Sequence, residues 1–311
     1  MLRGKKIAVT MPAYYAGKTV QRMWDTIPHD VVDTVIFVDD CSKDDGFEKA
    51  LALGMTAYQN EKNLNYGGNV KRCLQLALDS GADIIVLLHP DCQYSPVMVP
   101  ALASMLTDTP YDVCLASRTS GSGTLGTGMP IWKYLPNRLI TSVMGACLGI
   151  RHTEFHTGFR AYTRHALDTI PFHSLANNFI FDNEALVACL EKGLQTCEIT
   201  CPTIYEDDSS SIPFSKSVKY GLQCFRVSWG YLKKRLAGDI PRMPSLPPPP
   251  FPPADSARAP ARLAAPSAAV PPVSQPAPPP PVPENPPPSP ASGDPDPPPP
   301  PPTSSSPPPV P

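Results

Sequence analysis

The chain has no long apolar run. No window reaches the roughly 18–20 apolar residues of a membrane span. The opening residues Met1-Leu2-Arg3-Gly4-Lys5-Lys6 lack the apolar stretch of a secretory leader and lead straight into strand-like sequence. Both absences give the expectation of a cytoplasmic protein. An excess of charge of one sign is also missing, since the formal net charge is −2. That argues against a general nucleic-acid surface. The nine cysteines are odd in number, and none sits in a Cys-x-x-Cys pair. Cys197 and Cys201 are close in sequence but fall in a strand-like segment. Zinc chemistry is therefore set aside, and free thiols in a reducing compartment are expected.

Proline is abundant but segregated. Of 44 prolines, 33 fall in the last 71 residues, which carry only three Arg and four acidic side chains. Such a segment buries too little apolar surface to offset its ordering entropy. Residues 241–311 are expected to be a disordered, polyproline-like tail, which could serve as a ligand for SH3-type domains or as a spacer. Residues 1–240 are the right size for one α/β domain, with 23 basic and 24 acidic side chains.

Within that domain, hydrophobic periodicity predicts strands at 6–11, 34–38, 56–59, 84–88, 113–116 and 196–200. Helices are predicted at 19–25, 44–53, 70–80, 96–105, 135–148, 181–191 and 218–236. Asn65-Tyr66-Gly67-Gly68-Asn69 reads as a turn opening the third helix, and Thr119 to Gly128 as a mobile loop. Gly193 closes the helix at 181–191, and Thr157 to Tyr162 reads as a turn into a further strand. The alternation points to a doubly wound, mainly parallel sheet.

Two of these strands end in carboxylates. Val35-Ile36-Phe37-Val38 runs into Asp39-Asp40, and Ile84-Ile85-Val86-Leu87-Leu88 runs into His89-Pro90-Asp91-Cys92-Gln93-Tyr94. The carboxyl edge of an open α/β sheet is where nucleotides bind. An Asp flanked by His and Gln there suits a divalent metal held against a diphosphate. Helix capping is the alternative use for these acids.

Val9-Thr10-Met11-Pro12-Ala13-Tyr14, Val38-Asp39-Asp40-Cys41-Ser42-Lys43-Asp44 and Pro90-Asp91-Cys92-Gln93 together resemble a family 2 glycosyltransferase of the GT-A fold. His89 to Tyr94, Gly128 to Tyr134, Asn137-Arg138, His156 to Tyr162 and Phe181-Asp182-Asn183-Glu184 resemble its branch related to dolichyl-phosphate mannosyltransferases. The likeness runs from about Ile7 to about Leu236, and the tail has no counterpart in it. It implies inverting transfer of a sugar from a nucleotide-sugar donor to a polyprenyl phosphate or a glycan. The alternative is a non-catalytic nucleotide-sugar binder that uses the tail for docking. A nucleotidyltransferase is weaker, because the chain lacks a Gly-rich, Lys-containing N-terminal loop.

Roles follow from that resemblance. Pro12 and Tyr14 hold the base and ribose. Asp39 accepts a hydrogen bond from a base N–H or a ribose hydroxyl, while Asp40 and Ser42 shape the turn or cap a helix. Gly68 and Lys71 fall at a nucleotide-proximal segment. Asp91 is the metal ligand, assisted by Gln93, with Mg²⁺ or Mn²⁺ the expected cation. His89 stands where relatives carry the first Asp of Asp-x-Asp, as a ligand or as a donor to phosphate. Arg118, Arg160 and Lys133, with Arg138, are the candidate cations for an acceptor phosphate, because the guanidinium fork matches phosphate. Asp182 is a candidate base for a hydroxyl acceptor. It shares no helix face with Glu184. Tyr205-Glu206-Asp207-Asp208 resembles a loop that closes over the acceptor. Tyr14-Tyr15-Ala16 stands where many relatives have Tyr-Asn-Glu, which leaves the base open. The apolar helix at 135–148 and the basic end Lys233-Lys234-Arg235 suit either peripheral membrane contact or an ordinary core helix with a solvated end.

Overall fold

The strands β1 (Ile7–Ala13), β2 (Thr34–Asp39) and β4 (Ile84–Leu87) are continuous apolar runs because both faces of the sheet are covered. Alternate side chains go to opposite cores. Ala8, Ile36, Val38, Ile85 and Leu87 pack on one side, while Val9, Phe37, Ile84 and Val86 pack on the other. Full burial of one such side chain contributes about 1.5–3 kcal/mol. The computed structural model describes residues 1–121, 131–203 and 214–241. The expected loop at 119–128 falls mostly outside them, as do the 205–208 segment and the tail from residue 242 onward.

The remaining strands are β3 (Thr56–Gln59), β5 (Val113–Ser117), β6 (Arg160–Thr163) and β7 (Thr196–Thr200). They complete a seven-stranded sheet of order β3-β2-β1-β4-β6-β5-β7. All pairings are parallel except those of β6, which runs antiparallel to both β4 and β5. The order reverses at β1, whose neighbours β2 and β4 lead away on opposite sides, opening a crevice at the carboxyl edge. The inverted strand matters for the site. Because β6 starts at that edge, Arg160 stands in register with Leu87 of β4 and Leu115 of β5.

Helices α1 (Val20–Thr26), α2 (Gly46–Ala52) and α4 (Val99–Asp108) cover one face. The other face carries α3 (Asn65–Asp79), α5 (Ile131–Leu148), α6 (Arg164–Thr169), α7 (Phe181–Glu191) and α8 (Phe214–Ala237). Gly193 follows α7 at φ +75°, the left-handed ending that glycine permits.

The elements differ from expectation in several places. The Gly-rich segment at 65–69 is the first turn of α3 and not a turn before it. A short 3-10 turn at Pro96–Met98 precedes α4, which then runs to Asp108. The short α6, capped by the Thr163 hydroxyl accepting from the Ala166 N–H, has too few residues to show a helical period in sequence. All nine cysteines are free, and seven are buried. Burial pushes the Cys73, Cys189 and Cys224 thiols up to about 12, so these behave as small apolar side chains.

Candidate active site

Three parallel strands deliver the site. β2 ends at Asp39, β1 at Ala13 and β4 at Leu87, so the loops after them meet at the switch point. Each of these loops carries a non-glycine residue in the left-handed region: Tyr15 at φ +56°, Cys41 at +61° and Cys92 at +59°. Such residues cost of order 1 kcal/mol or more each and gather where a loop must present particular atoms. Two of these loops are tied together, the Tyr15 N–H donating to Ser42 Oγ and the Ser42 N–H to Asp39 Oδ2.

Asp39 is buried at 1% exposure. Its Oδ2 also accepts from Gln59 Nε2, while Oδ1 is buried with no partner among the described residues. A carboxylate oxygen left in this state is costly unless a ligand donor reaches it. Asp40 is used differently. Its Oδ1 accepts from Asn60 Nδ2 and the Leu64 N–H, so it anchors the loop leading into α3 and caps no helix. Pro12 is buried within β1, whereas Tyr14 is exposed at the rim with its ring edge-on to Tyr15.

After β4, Asp91 is half-buried and its Oδ1 accepts from the Gln93 N–H. No cluster of three or more His, Cys, Asp or Glu occurs among the described residues. Among the described residues, the loop after β4 therefore offers one carboxylate, Asp91, and a nearby imidazole, His89. Such a donor set fits a cation only when phosphate oxygens and water complete the shell.

The sequence did not single out Tyr66 as a site residue. The Tyr66 hydroxyl donates to Asp182 Oδ2 at 2.7 Å and lies 3.1 Å from His89 Nε2. With the hydroxyl hydrogen on Asp182, His89 donates from Nε2 to the Tyr66 oxygen. The Tyr66 ring stacks on both His89 and Phe179. Burial, then the Asp182 charge, push its phenol well above the usual range, so it stays protonated. Gly158 makes room for this arrangement, since a Cβ there would lie 2.4 Å from His89 Nε2. Asp182 opens α7 and keeps a buried Oδ1 with no partner among the described residues. A tyrosine inside an Asn-x-Gly-Gly segment looks like part of a turn, which hid this role.

Three of the four expected phosphate cations have partners within the fold. Arg160 is fully buried, donating from Nε to Thr157 O, from Nη1 to Asp182 O and from Nη2 to Phe155 O. It clamps three backbone segments around the start of β6 and presents no face to a ligand. Arg118 donates to Glu154 through its N–H, Nε and Nη2, and Glu154 is wholly buried. Its charge is thus matched within the fold. Arg138 donates to Thr153 O, and the Lys133 side chain lies outside the described residues. Gly68 and Lys71 also change role. Lys71 Nζ donates to Leu175 O and Asn177 Oδ1, and a Cβ on Gly68 would crowd Leu64 at 2.9 Å. Both residues pack the segment 175–177 against α3.

Behind the arginines lie buried titratable groups. Burial would raise the Glu154 carboxyl, but Arg118 outweighs it and holds it below the usual range. Burial, reinforced by Arg160, pushes His152 down to about 4. Burial also brings His156 to about 4, with Glu154 opposing and Arg118 and Arg160 adding to the shift. Both imidazoles stay neutral in the fold, whereas an unfolded histidine protonates near pH 6.5. Between about pH 6.5 and 4 the unfolded chain therefore binds more protons, and stability falls as pH falls. Thermal midpoints taken across this window should drop, and combining His152→Gln with His156→Gln should flatten the slope. An unchanged slope in that double variant would show that other groups control it.

The chain is 24% identical over 222 residues to the UDP-N-acetylglucosamine–dolichyl-phosphate N-acetylglucosaminyltransferase of Methanococcus voltae, covering 66% of this chain and 88% of that one. It is 20% identical over 239 residues to glycosyltransferase AglD of Haloferax volcanii, covering 73% of this chain but only 37% of the relative. Among solved structures, glucosyl-3-phosphoglycerate synthase of Mycobacterium tuberculosis in complex with Mn²⁺, uridine diphosphate and phosphoglyceric acid superposes with a TM-score of 0.58. Identity is 21%, with 77% of this chain and 80% of that chain covered. This likeness shows the fold, the mixed, mainly parallel GT-A sheet expected from the resemblance. Residues 8–170, just over half of the chain, match the family described as glycosyl transferase family 2. With a GT-A sheet whose carboxyl edge gathers Asp39, His89 and Asp91, the chain belongs to that family.

Proposed function

We propose that this protein transfers a sugar, with inversion, from a nucleotide-sugar donor to a polyprenyl phosphate. The observation that carries the reading is the buried, unpartnered Oδ1 of Asp39, at the same sheet edge as Asp91. A base N–H or ribose hydroxyl satisfies that oxygen, and the exposed Tyr14 ring offers a stacking face beside it. Asp91, with His89 and Gln93, is the set that would hold Mg²⁺ or Mn²⁺. The cation, when bound, neutralises charge on the leaving diphosphate. The acceptor oxygen attacks C1 opposite the diphosphate, the C1–O bond breaks, and the nucleoside diphosphate leaves. One displacement inverts C1. A phosphate acceptor is already anionic at neutral pH and needs no base. Likeness to a dolichyl-phosphate N-acetylglucosaminyltransferase and to a synthase bound to uridine diphosphate and Mn²⁺ supports this choice of substrates.

A second reading, transfer to a glycan hydroxyl, is favoured by Asp182. Its unpartnered Oδ1 is an acceptor for a hydroxyl proton, and Tyr66 holds its other oxygen. The test is turnover on a panel of nucleotide sugars with Mn²⁺ or Mg²⁺, offered polyprenyl phosphate or oligosaccharides. A lipid-phosphate-linked sugar of inverted configuration is the expected product. Glycosylated oligosaccharide alone selects the second reading. Donor binding by calorimetry without any transfer sinks both, leaving a non-catalytic binder.

A further inference from the structure

The outward faces of α5 and α8 carry an unusual amount of apolar surface. On α5, Leu135, Leu139 and Val143 recur every four residues and are all exposed, Leu139 by 67%. On α8, Val218, Leu222, Phe225 and Trp229 repeat at three- and four-residue steps, with exposures of 44–67%. This spacing places each set on one side of its helix. The helices lie side by side and run the same way, since Gly221 meets Ile140 and, further along, Gly149 meets Arg235. Their opposite faces enter one core, through Met144 and Leu148 on α5 and Cys224 and Tyr231 on α8. Both stripes therefore belong to one outer surface.

Charge distinguishes this surface from the rest of the domain. α5 and α8 together carry eight Lys and Arg and no Asp or Glu. The other residues of 1–240 carry 15 basic and 24 acidic side chains. The near-neutral total thus conceals a basic pair of helices on an acidic body. Three of the basic side chains, Lys219, Arg226 and Lys233, are exposed and stand seven residues apart, forming a row along one flank of the α8 stripe. Long basic side chains beside an apolar stripe can reach a headgroup layer while their stems lie along it, and Trp favours the same depth.

We propose that the α5–α8 face docks on an anionic lipid bilayer, with the apolar stripes at the headgroup–acyl boundary and the basic row among the phosphates. Charge decides against a second copy of the chain as occupant. A two-fold dimer places the same patch on itself, and this patch has no acidic side chain on either helix. No helix among the described residues is long and apolar enough to cross a membrane, so the contact assigned here is with one leaflet.

Vesicles that contain no polyprenyl phosphate separate this contact from binding of the sugar acceptor. The full chain is sedimented with phosphatidylcholine vesicles, with or without roughly one-third phosphatidylglycerol. Binding to the anionic vesicles only is expected. The triple variant Lys219→Ser, Arg226→Ser, Lys233→Ser should weaken it about a hundredfold, at about fivefold per charge. Leu222→Asn with Trp229→Ser should abolish it, and both variants should melt with the unmodified protein because these side chains are exposed. Equal binding to neutral vesicles, no binding at all, or unchanged binding by either variant overturns the proposal. So does a concentration-dependent dimer in sedimentation velocity that Leu222→Asn with Trp229→Ser dissociates.

Discussion

Asp91→Asn should lower turnover by at least about a hundredfold, the scale of removing one group that stabilises developing charge in a water-poor site. The substitution is nearly isosteric. Asn keeps an oxygen to accept the Gln93 N–H, the hydrogen bond that shapes the turn after β4. What it loses is the negative charge, and with it the single carboxylate in this loop able to hold a hard cation. Because Asp91 is half-buried and ion-paired with no described cation, its neutralisation leaves no buried partner stranded. The thermal midpoint should therefore stay within about 2 °C of the unmodified protein. Steady-state kinetics with the best donor reads the first effect, and calorimetry reads donor binding with and without Mn²⁺. Weakened metal-dependent binding alongside lost turnover is the expected pattern. Near-normal turnover would remove Asp91 from the reaction.

Arg160→Met should act on stability. It removes donors from three buried carbonyls, those of Phe155, Thr157 and Asp182, and a positive charge from the neighbourhood of buried Asp182. Removing one side of such an arrangement typically costs about 3–5 kcal/mol. For a domain of this size that corresponds to a fall of roughly 10 °C in thermal midpoint. Arg160→Lys should recover little, because one ammonium cannot serve three carbonyls arranged around a planar fork. A phosphate-binding arginine would behave in the opposite way. Its loss would raise the KM for the acceptor in a protein that melts normally. Melting curves together with acceptor titrations separate the two roles.

This contrast shows how far a sequence can be read here. The strand ends were legible, because Val35 to Asp40 and Ile84 to Asp91 each show an apolar run stopping at a carboxylate. Asp39 and Asp91 were found that way, and the structure places both at the switch point beside β1. The arginines were not legible in the same sense. A guanidinium next to Gly or Ser looks equally suited to a phosphate or to backbone carbonyls, and only the fold decides which is nearer. Arg160 sits in a strand that runs against its neighbours, so its side chain enters the interior between β6 and α7. Nothing in the local wording of Thr157 to Tyr162 marks that reversal.

Tyr66 illustrates the same limit from the other side. Its partners His89 and Asp182 lie 23 and 116 residues away, and Gly158 is needed to let the imidazole in. The left-handed residues Tyr15, Cys41 and Cys92 were equally hidden, since neither Tyr nor Cys advertises a positive φ.

Hydrophobic periodicity settled the α/β class and the order of the elements apart from α6, and the two acidic strand ends marked the edge proposed here for a diphosphate. These are local properties, carried by side-chain spacing over a few residues. The tertiary structure settled which charges are spent inside the fold and which remain at the surface. It consumed Arg118, Arg160 and Lys71 in holding segments together, and it joined α5 and α8 into one basic, apolar face. Both outcomes depend on contacts between residues far apart in sequence, and no local pattern encodes which partner a charged side chain will meet.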